Sequence, residues 1–185
     1  MYTHLNNILP AGRIVEFLSE AKEKPVNIGG FFIGAGETPE KIAFVLEGLF
    51  RYVYTSDKGV EFTKAIMPEN NFISSYSAMV LRNPSYFSVE ALENSRVLEI
   101  SWAAFSRLLE TDIFWVKFLL KFIEKGYIIK EKRERDLLLL DAETRYRNFL
   151  TEFPGMEQRV KQGIIASYLG IQPETLSRIR RKNAF

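Results

Sequence analysis

The sequence of 185 residues has no cysteine, one histidine and no run of 18 apolar residues. Without cysteine the chain forms no disulfide and offers no thiol nucleophile, which agrees with a reducing compartment. Its start, MYTHLNNILP, lacks the basic and then apolar pattern of a signal peptide. We therefore expect a soluble cytoplasmic protein that has no membrane partner.

Catalytic motifs are also missing. The lone histidine, His4, has no visible ligand partners, and there is no phosphate loop of the GxxxxGK type or pair of metal-ligand motifs. Acidic residues are plentiful, but none is spaced for paired acid–base work. The sequence therefore predicts no catalytic residues and no metal site, and an enzyme is the least favoured class.

Hydrophobic residues make up 46% of the chain, including 15 Phe and 8 Tyr, so it can bury an aromatic core. The net charge is only +2, but it is unevenly distributed. Residues 141–185 hold eight Lys/Arg against five Asp/Glu, whereas residues 1–140 are close to neutral. A basic end of this kind is typical of a surface that binds phosphate groups.

That basic end has the pattern of two short helices joined by a tight turn. Apolar residues follow helical spacing from Gln162 to Leu169, and Gly170 comes next, where a helix ends. Pro173 suits the first position of a new helix because it has no N–H to lose, and this helix should run to about Lys182. Its outer face is basic and polar, as in a helix that reads a major groove. The alternative is an ordinary helical hairpin with a solvated basic face.

The segment IASYLGIQPETLSRIRR, residues 165–181, resembles the helix-turn-helix of the cyclic-AMP-receptor-like (Crp–Fnr) transcription regulators. The resemblance implies that Glu174 and Arg178 face bases and that Thr175 contacts phosphate. Pro173 stands where the family has a base-reading arginine, so the preferred DNA sequence should differ from the family's best-known site. The predicted DNA-binding residues are Gln172, Glu174, Thr175, Ser177, Arg178, Arg180, Arg181 and Lys182.

Between Pro25 and Ile100 the hydrophobic period changes from that of helices to that of strands. Short β-rich runs are separated by glycine turns, and residues 56–59 form a hairpin signal. This pattern predicts an antiparallel barrel or sandwich. The order resembles the β-roll of the cyclic-nucleotide-binding domain, so the predicted fold class is α+β, a jelly-roll-like β-roll with flanking helices.

Residues 67–92 correspond to the phosphate-binding cassette of that domain. The resemblance places Ser74 and Ser75 where the family has a glycine and a ribose-binding glutamate. It places Ser85 and Tyr86 where the family has a phosphate-binding arginine and its hydroxyl neighbour. Both charged ligands are therefore missing, so we do not expect cyclic AMP in the usual mode, and the effector is unknown.

The shape of this cassette can persist, because Ser74 or Ser75 suits the N-cap of a short helix over residues 76–81. Arg82 is its only cation, and nothing in the sequence shows that it replaces the lost arginine. A filled or vestigial pocket and a site adapted to another small molecule both stay open. The candidate pocket residues are Phe72, Ser74, Ser75, Tyr76, Arg82, Ser85 and Tyr86.

After the last predicted strand, residues 96–100, Ser101 should cap a helix over residues 102–109. Thr111 or Asp112 should then cap a long helix from Ile113 to Leu140. An apolar seam on this helix predicts a homodimer, and the alternative is a helix buried once in a monomer. The proposed dimer residues are Trp115, Leu119, Phe122, Gly126 and Ile129.

Six successive charged residues at 131–136 indicate a domain boundary close by. We therefore predict a β-roll domain with its connecting helix over residues 1–140 and a DNA-binding unit over residues 141–185. Asp141 is the expected N-cap of the first helix of that unit. The unit is expected to consist of three helices without the family's C-terminal β-hairpin wing.

These patterns support three hypotheses. The first is a homodimeric transcription regulator that reads a two-fold symmetric site in double-stranded DNA. The second is a small-molecule sensor whose helical end contacts a protein rather than DNA. An enzyme is the third and least favoured.

Overall fold

The computed structural model of the chain describes residues 5, 6 and 8–182. His4 lies outside the described residues. The helices are α1 (Ala11–Glu20), α2 (Tyr76–Leu81), α3 (Trp102–Thr111), α4 (Ile113–Leu139), α5 (Ala142–Glu152), α6 (Met156–Arg159), α7 (Gln162–Leu169) and α8 (Pro173–Lys182). The strands are β1 (Lys22–Val26), β2 (Phe31–Ile33), β3 (Lys41–Glu47), β4 (Phe50–Thr55), β5 (Glu61–Met67), β6 (Phe72–Ile73), β7 (Ser88–Ala91) and β8 (Ser95–Ser101).

The strands form two antiparallel sheets of four, in the orders β1-β8-β3-β6 and β2-β7-β4-β5. This arrangement confirms the predicted β-roll, and β4 and β5 form the predicted hairpin. The turn at Gly48 carries the chain from one sheet to the other. Gly48 has φ +99°, and a Cβ there would lie 2.1 Å from Ser95 Oγ, so both its conformation and its surroundings require glycine.

The roll buries two apolar clusters. One lies between the two sheets and includes Phe50, Val89 and Val97. The other lies between the roll and helices α1, α3 and α4, where Phe17 and Trp115 are fully buried. Aromatic side chains supply much of this second cluster, as the composition predicted.

N-cap residues mark the starts of α4 and of the helices on either side of it, α3 and α5. Asp112 accepts a hydrogen bond from Phe114 N (2.8 Å) at the start of α4. After its end, Asp141 accepts from Thr144 N (2.7 Å) and begins α5. Ser101 likewise accepts from Ala104 N (3.1 Å) at the start of α3. These three predicted caps are confirmed, because an N-cap oxygen satisfies an N–H group that the helix leaves free.

The predicted dimer seam faces the roll within one chain. Trp115 is fully buried, and Leu119 and Phe122 are partly buried and pack against the same apolar cluster. Trp115 is therefore covered within one chain, Leu119 and Phe122 are covered in part, and Gly126 and Ile129 are exposed. The opposite face of α4 carries a different apolar row, which we call the outer stripe: Ile113, Val116, Leu120, Ile123 and Tyr127.

Helices α5–α8 share their core with the roll. Tyr146, Phe149, Ile165, Leu169 and Leu176 are buried together, and the same cluster contains two roll residues, Leu49 and Ile66. The predicted boundary at residue 140 falls where α4 ends, but the two parts are packed against each other.

No strand follows Ser101 within residues 102–182. No described helix is both long enough and apolar enough to cross a membrane.

Candidate DNA interface and sensor cleft

Helices α7 and α8 form the predicted helix-turn-helix, with the predicted boundaries at Gln162, Leu169, Pro173 and Lys182. Gly170 lies between them in the left-handed conformation, with φ +67°. Ile171 N donates to Ala166 O (3.0 Å), so the turn satisfies a carbonyl group that the end of α7 leaves free.

The two faces of α8 differ as the sequence predicted. Leu176 and Ile179 are buried in the core of the helical unit. The opposite face leaves five of the predicted DNA-binding residues exposed, while Thr175, Ser177 and Arg180 are partly buried. The exposed five are Gln172, Glu174, Arg178, Arg181 and Lys182.

The cations of α8 fall into two groups. Arg180 forms an ion pair with Glu157 (2.5 Å), and Lys182 forms one with Glu143 (2.9 Å). Among the described residues, Arg178 and Arg181 have no ion-pair partner. Two of the four cations are thus unpaired within the described chain, whereas the other two are held by carboxylates.

Helix α7 packs against the edge strand β5. Ser167 Oγ accepts from Thr63 N (2.8 Å), which satisfies an edge N–H group of the sheet. Arg133 of α4 donates to both Thr63 O (3.1 Å) and Tyr168 O (2.6 Å). Strand β5, helix α4 and helix α7 are therefore joined at one point.

A second contact fixes α6 to the turns of the roll. The Arg159 guanidinium donates to Glu69 at 2.6 Å and to Glu93 at 2.7 Å. Since both carboxylates belong to the roll, this contact also depends on how the helical unit lies on it.

The cassette keeps the predicted helix, α2, but its serines are turned inward. Ser74, Ser75 and Ser85 are all buried. The hydroxyls of Ser75 and Ser85 share a hydrogen bond of 2.8 Å, and Ser85 Oγ also lies 2.7 Å from Phe87 O. Ser75 is the N-cap residue by position, yet its side chain makes no capping bond, because it is bonded to Ser85 instead.

Several predicted pocket residues do not meet in one site. Phe72 is buried between Phe44, Phe118 and other rings of the helix-side core, and Tyr76 packs edge-on against Trp102. The Ser74 hydroxyl is likewise bonded away from Ser75 and Ser85, because its Oγ donates to Lys41 O of β3 (3.0 Å).

The other predicted residues lie on the opposite side of α2. Arg82 ends α2 in the left-handed conformation, φ +53°, and its exposed side chain does not line a cleft. Ser75 and Tyr86 line a cleft, and Ser85 is bonded directly beneath it.

This cleft, the sensor cleft, has a volume of about 100 Å³. Its lining residues are Tyr54, Lys64, Ser75, Ser77, Ala78, Leu81, Asn83, Pro84, Tyr86 and Phe87. Lys64 is the only charged residue among them.

Lys64 was not predicted from the sequence as a site residue. Its ammonium lies 3.9 Å from the centre of the Phe87 ring and within 6 Å of the rings of Tyr52 and Tyr54. Burial, together with repulsion from Lys130, lowers the pKa of Lys64 to about 8. A lysine inside the otherwise uncharged run FTKAIM was the only signal for it, because the direction of its side chain depends on tertiary structure.

The lining of the cleft contains no arginine and no carboxylate. The family resemblance would place a ribose-binding glutamate at residue 75 and a phosphate-binding arginine at residue 85. Buried serines occupy those positions and are already hydrogen-bonded to one another.

The architecture is thus an antiparallel β-roll followed by a long helix and a helix-turn-helix. Residues 24–112 match the family described as cyclic nucleotide-binding domain. The resemblance to Crp–Fnr regulators is confirmed for the fold, and the family match is to the cyclic nucleotide-binding domain alone.

Solved structures with this fold share little sequence with the chain. CLP from Xanthomonas campestris, described as a c-di-GMP responsive global regulator, superposes with TM-score 0.78 at 15% identity, over 95% of this chain and 92% of CLP. FixK2 from Bradyrhizobium japonicum gives 0.77 at 19% identity, over 88% and 83% of the two chains. A protein from Eubacterium rectale, described as of the crp/fnr family, gives 0.73 at 16% identity, over 96% and 85%. No curated protein matches the sequence.

Proposed function

We propose that this protein is a DNA-binding transcription regulator of the Crp–Fnr type, in which α8 reads double-stranded DNA. The observation that carries the proposal is the pairing of α7 and α8 around Gly170, with Arg178 and Arg181 exposed and unpaired on the outer face of α8. An arginine on such a face can make a bidentate contact to guanine, and a neighbouring cation can hold phosphate.

The regulator acts as a homodimer through the outer stripe of α4. Ile113, Leu120 and Tyr127 are 64%, 52% and 64% exposed, and together with Val116 and Ile123 they follow the three- and four-residue spacing of a coiled-coil seam. A second copy of α4 would cover this row. The double change Leu120→Glu and Tyr127→Glu should give a monomer in sedimentation, whereas Lys121→Glu, on the neighbouring polar face, should leave the dimer intact.

DNA binding is tested by selecting duplexes from a random library and measuring their fluorescence anisotropy at several salt concentrations. Arg178→Ala should remove sequence preference at one position per half-site, because a bidentate arginine–guanine contact is worth roughly 1–3 kcal/mol of discrimination. Arg181→Ala should weaken all sequences alike and lower the salt slope by about one per contact, or by about two in a dimer.

Lys58→Ala, a charge loss on the exposed β4–β5 turn outside α8, is the matched control and should change neither quantity. Failure of the folded dimer to bind any duplex at low salt would contradict the proposal. It would favour the second candidate, a sensor whose helical end contacts a protein.

A further inference from the structure

Lys64 reaches the sensor cleft because of a local irregularity in strand β5. In the pairing of β4 with β5, Tyr52 lies opposite Ala65 and the next residue, Val53, lies opposite Thr63, so Lys64 is an extra residue in a β-bulge. A bulge breaks the alternation of a strand and redirects one side chain. Here it leaves Thr63 bonded to the helical unit and directs Lys64 toward Phe87.

The ammonium group of Lys64 has no anionic partner among the described residues. Its ammonium has aromatic rings beside it, but within the described chain it makes no hydrogen bond and no ion pair. The exposed Lys130 of α4 repels it, and Arg133 of the same helix donates to the carbonyl of the adjacent Thr63. The other titratable neighbours are Tyr52, Tyr54 and Tyr86. A partly buried cation without a carboxylate partner favours the binding of an anion.

The charge and size of the cleft narrow the class of anion. One lysine, with no second charged residue in the lining, matches a single negative charge. A volume of about 100 Å³ is closer to the space that holds one benzene ring than to the several hundred Å³ of pockets for larger ligands.

The rim of the cleft is apolar and uncovered. Leu81 and Tyr86 are 66% and 87% exposed, and they stand beside Pro84 and Phe87. A ligand with an apolar body would bury these surfaces, while Ser77 and Asn83 supply polar groups near the opening.

We propose that the sensor cleft binds a small organic acid, with its carboxylate on Lys64 and its aromatic or branched apolar body against Leu81 and Phe87. As an account of the effector, this inference rests on the proposed function. In this site the carboxylate of the ligand and Lys64 of β5 would take the places of the cyclic phosphate and the arginine that binds it in the family.

The position of Lys64 gives such a ligand a route to the DNA-binding unit. Thr63, its neighbour in the bulge, donates to Ser167 of α7 and accepts from Arg133 of α4. An anion that moves Lys64 therefore acts on the residue that holds α7 against the roll.

The test uses the full-length protein and benzoate as the probe, titrated by calorimetry at pH 7. Benzoate should bind, and its neutral isostere benzamide should bind at least tenfold more weakly, because only the carboxylate pairs with Lys64. Lys64→Met should reduce benzoate affinity at least tenfold, and Lys64→Arg should retain most of it. Lys58→Met, on the exposed β4–β5 turn, is the control and should leave binding unchanged.

A second readout depends on protonation. Because the bound anion raises the pKa of Lys64, binding at pH 8 should take up protons, seen as a heat that differs between buffers of different ionisation enthalpy. Benzoate affinity should fall as the pH rises above 8.

Three results would overturn the inference. They are no benzoate binding to the folded wild type at millimolar concentration, equal binding of benzamide, and unchanged binding in both Lys64 variants. These measurements contain no DNA, so their failure leaves the duplex-binding result intact. Benzoate binding without any DNA binding would instead overturn the proposed function alone.

Discussion

The helix-turn-helix and the phosphate-binding cassette differ in how many of the family's charged residues they keep. In α7 and α8 the backbone and most of the matching outward residues are retained, with Arg178 exposed on the outer face of α8, although Pro173 stands in place of one arginine. In the cassette the short helix α2 is retained, but Ser75 and Ser85 replace the two charged ligands and bond to each other.

The comparison shows that backbone shape and site chemistry are separable. A glycine turn and a short helix form from local preferences, whatever ligand they serve. The charge of the cleft is supplied by Lys64 of β5, about ten residues before α2 and on another element. A family resemblance at the backbone therefore does not by itself establish the ligand.

The largest expected effect is the lack of cyclic AMP binding. Each lost charge-assisted hydrogen bond gives up roughly 1.5–3 kcal/mol, so losing both charged ligands weakens binding by about three decades. Calorimetric titration of cyclic AMP should show no binding at micromolar concentrations.

The contrast between the two regions would be wrong if cyclic AMP bound at micromolar concentration and a change of Ser75 or Ser85 abolished that binding. That outcome would mean that the cassette retains the family's ligand without its charged residues.

A smaller effect is expected from the turn of the helix-turn-helix. Gly170→Ala should lower the free energy of unfolding by about 1–2 kcal/mol, because its φ of +67° is strained for a residue with a Cβ. Its Cβ would also lie 3.0 Å from Leu137 Cδ2. Urea denaturation measures the change.

Gly163→Ala is the matched control in the same unit. Gly163 is helical, and a Cβ there would meet nothing within 4 Å, so this change should leave stability equal or slightly higher. Equal losses at the two positions would show that the turn has no special role.

A pH-dependent effect is expected from the cleft lysine. Lys64→Met should raise the melting temperature at pH 7, since it removes a charge that burial disfavours. The pKa of Lys64 is lowered to about 8 in the folded state, against 10.5 as the ordinary value. Between these values the unfolded chain binds more protons, so this lysine makes wild-type stability rise with pH.

The melting temperatures of wild type and Lys64→Met should therefore converge as the pH is raised from 7 to 10. Scanning calorimetry across this range measures the difference, with Lys58→Met as the control that should show none. A constant difference would mean that the lysine is not desolvated.

Short-range signals predicted much of the fold. The boundaries of α2, α7 and α8 agree with the prediction, and Ser101, Asp112 and Asp141 cap the helices that they were expected to cap. These features depend on residues within one turn of each other, where side-chain hydrogen bonding and backbone preference dominate.

Predictions of which way a helix face or a side chain points were less complete. The apolar seam of α4 was recognised, but Trp115, Leu119 and Phe122 face the roll, and the outer stripe is the free row. A helix that is apolar on two sides does not reveal which side its own chain covers. The docking of α7 on β5 joins residues about 100 positions apart, Thr63 and Ser167, and no local pattern marks that pair.

The sequence by itself determined that a β-rich region precedes a basic helix-turn-helix, and that two charged cassette ligands are absent. These are statements about composition, periodicity and residues close in the chain. Tertiary structure decided that Ser75 and Ser85 bond to each other and that Lys64 enters the cleft through a β-bulge. It did so because burial and strand register, which set the surroundings and direction of a side chain, arise only when distant segments pack together.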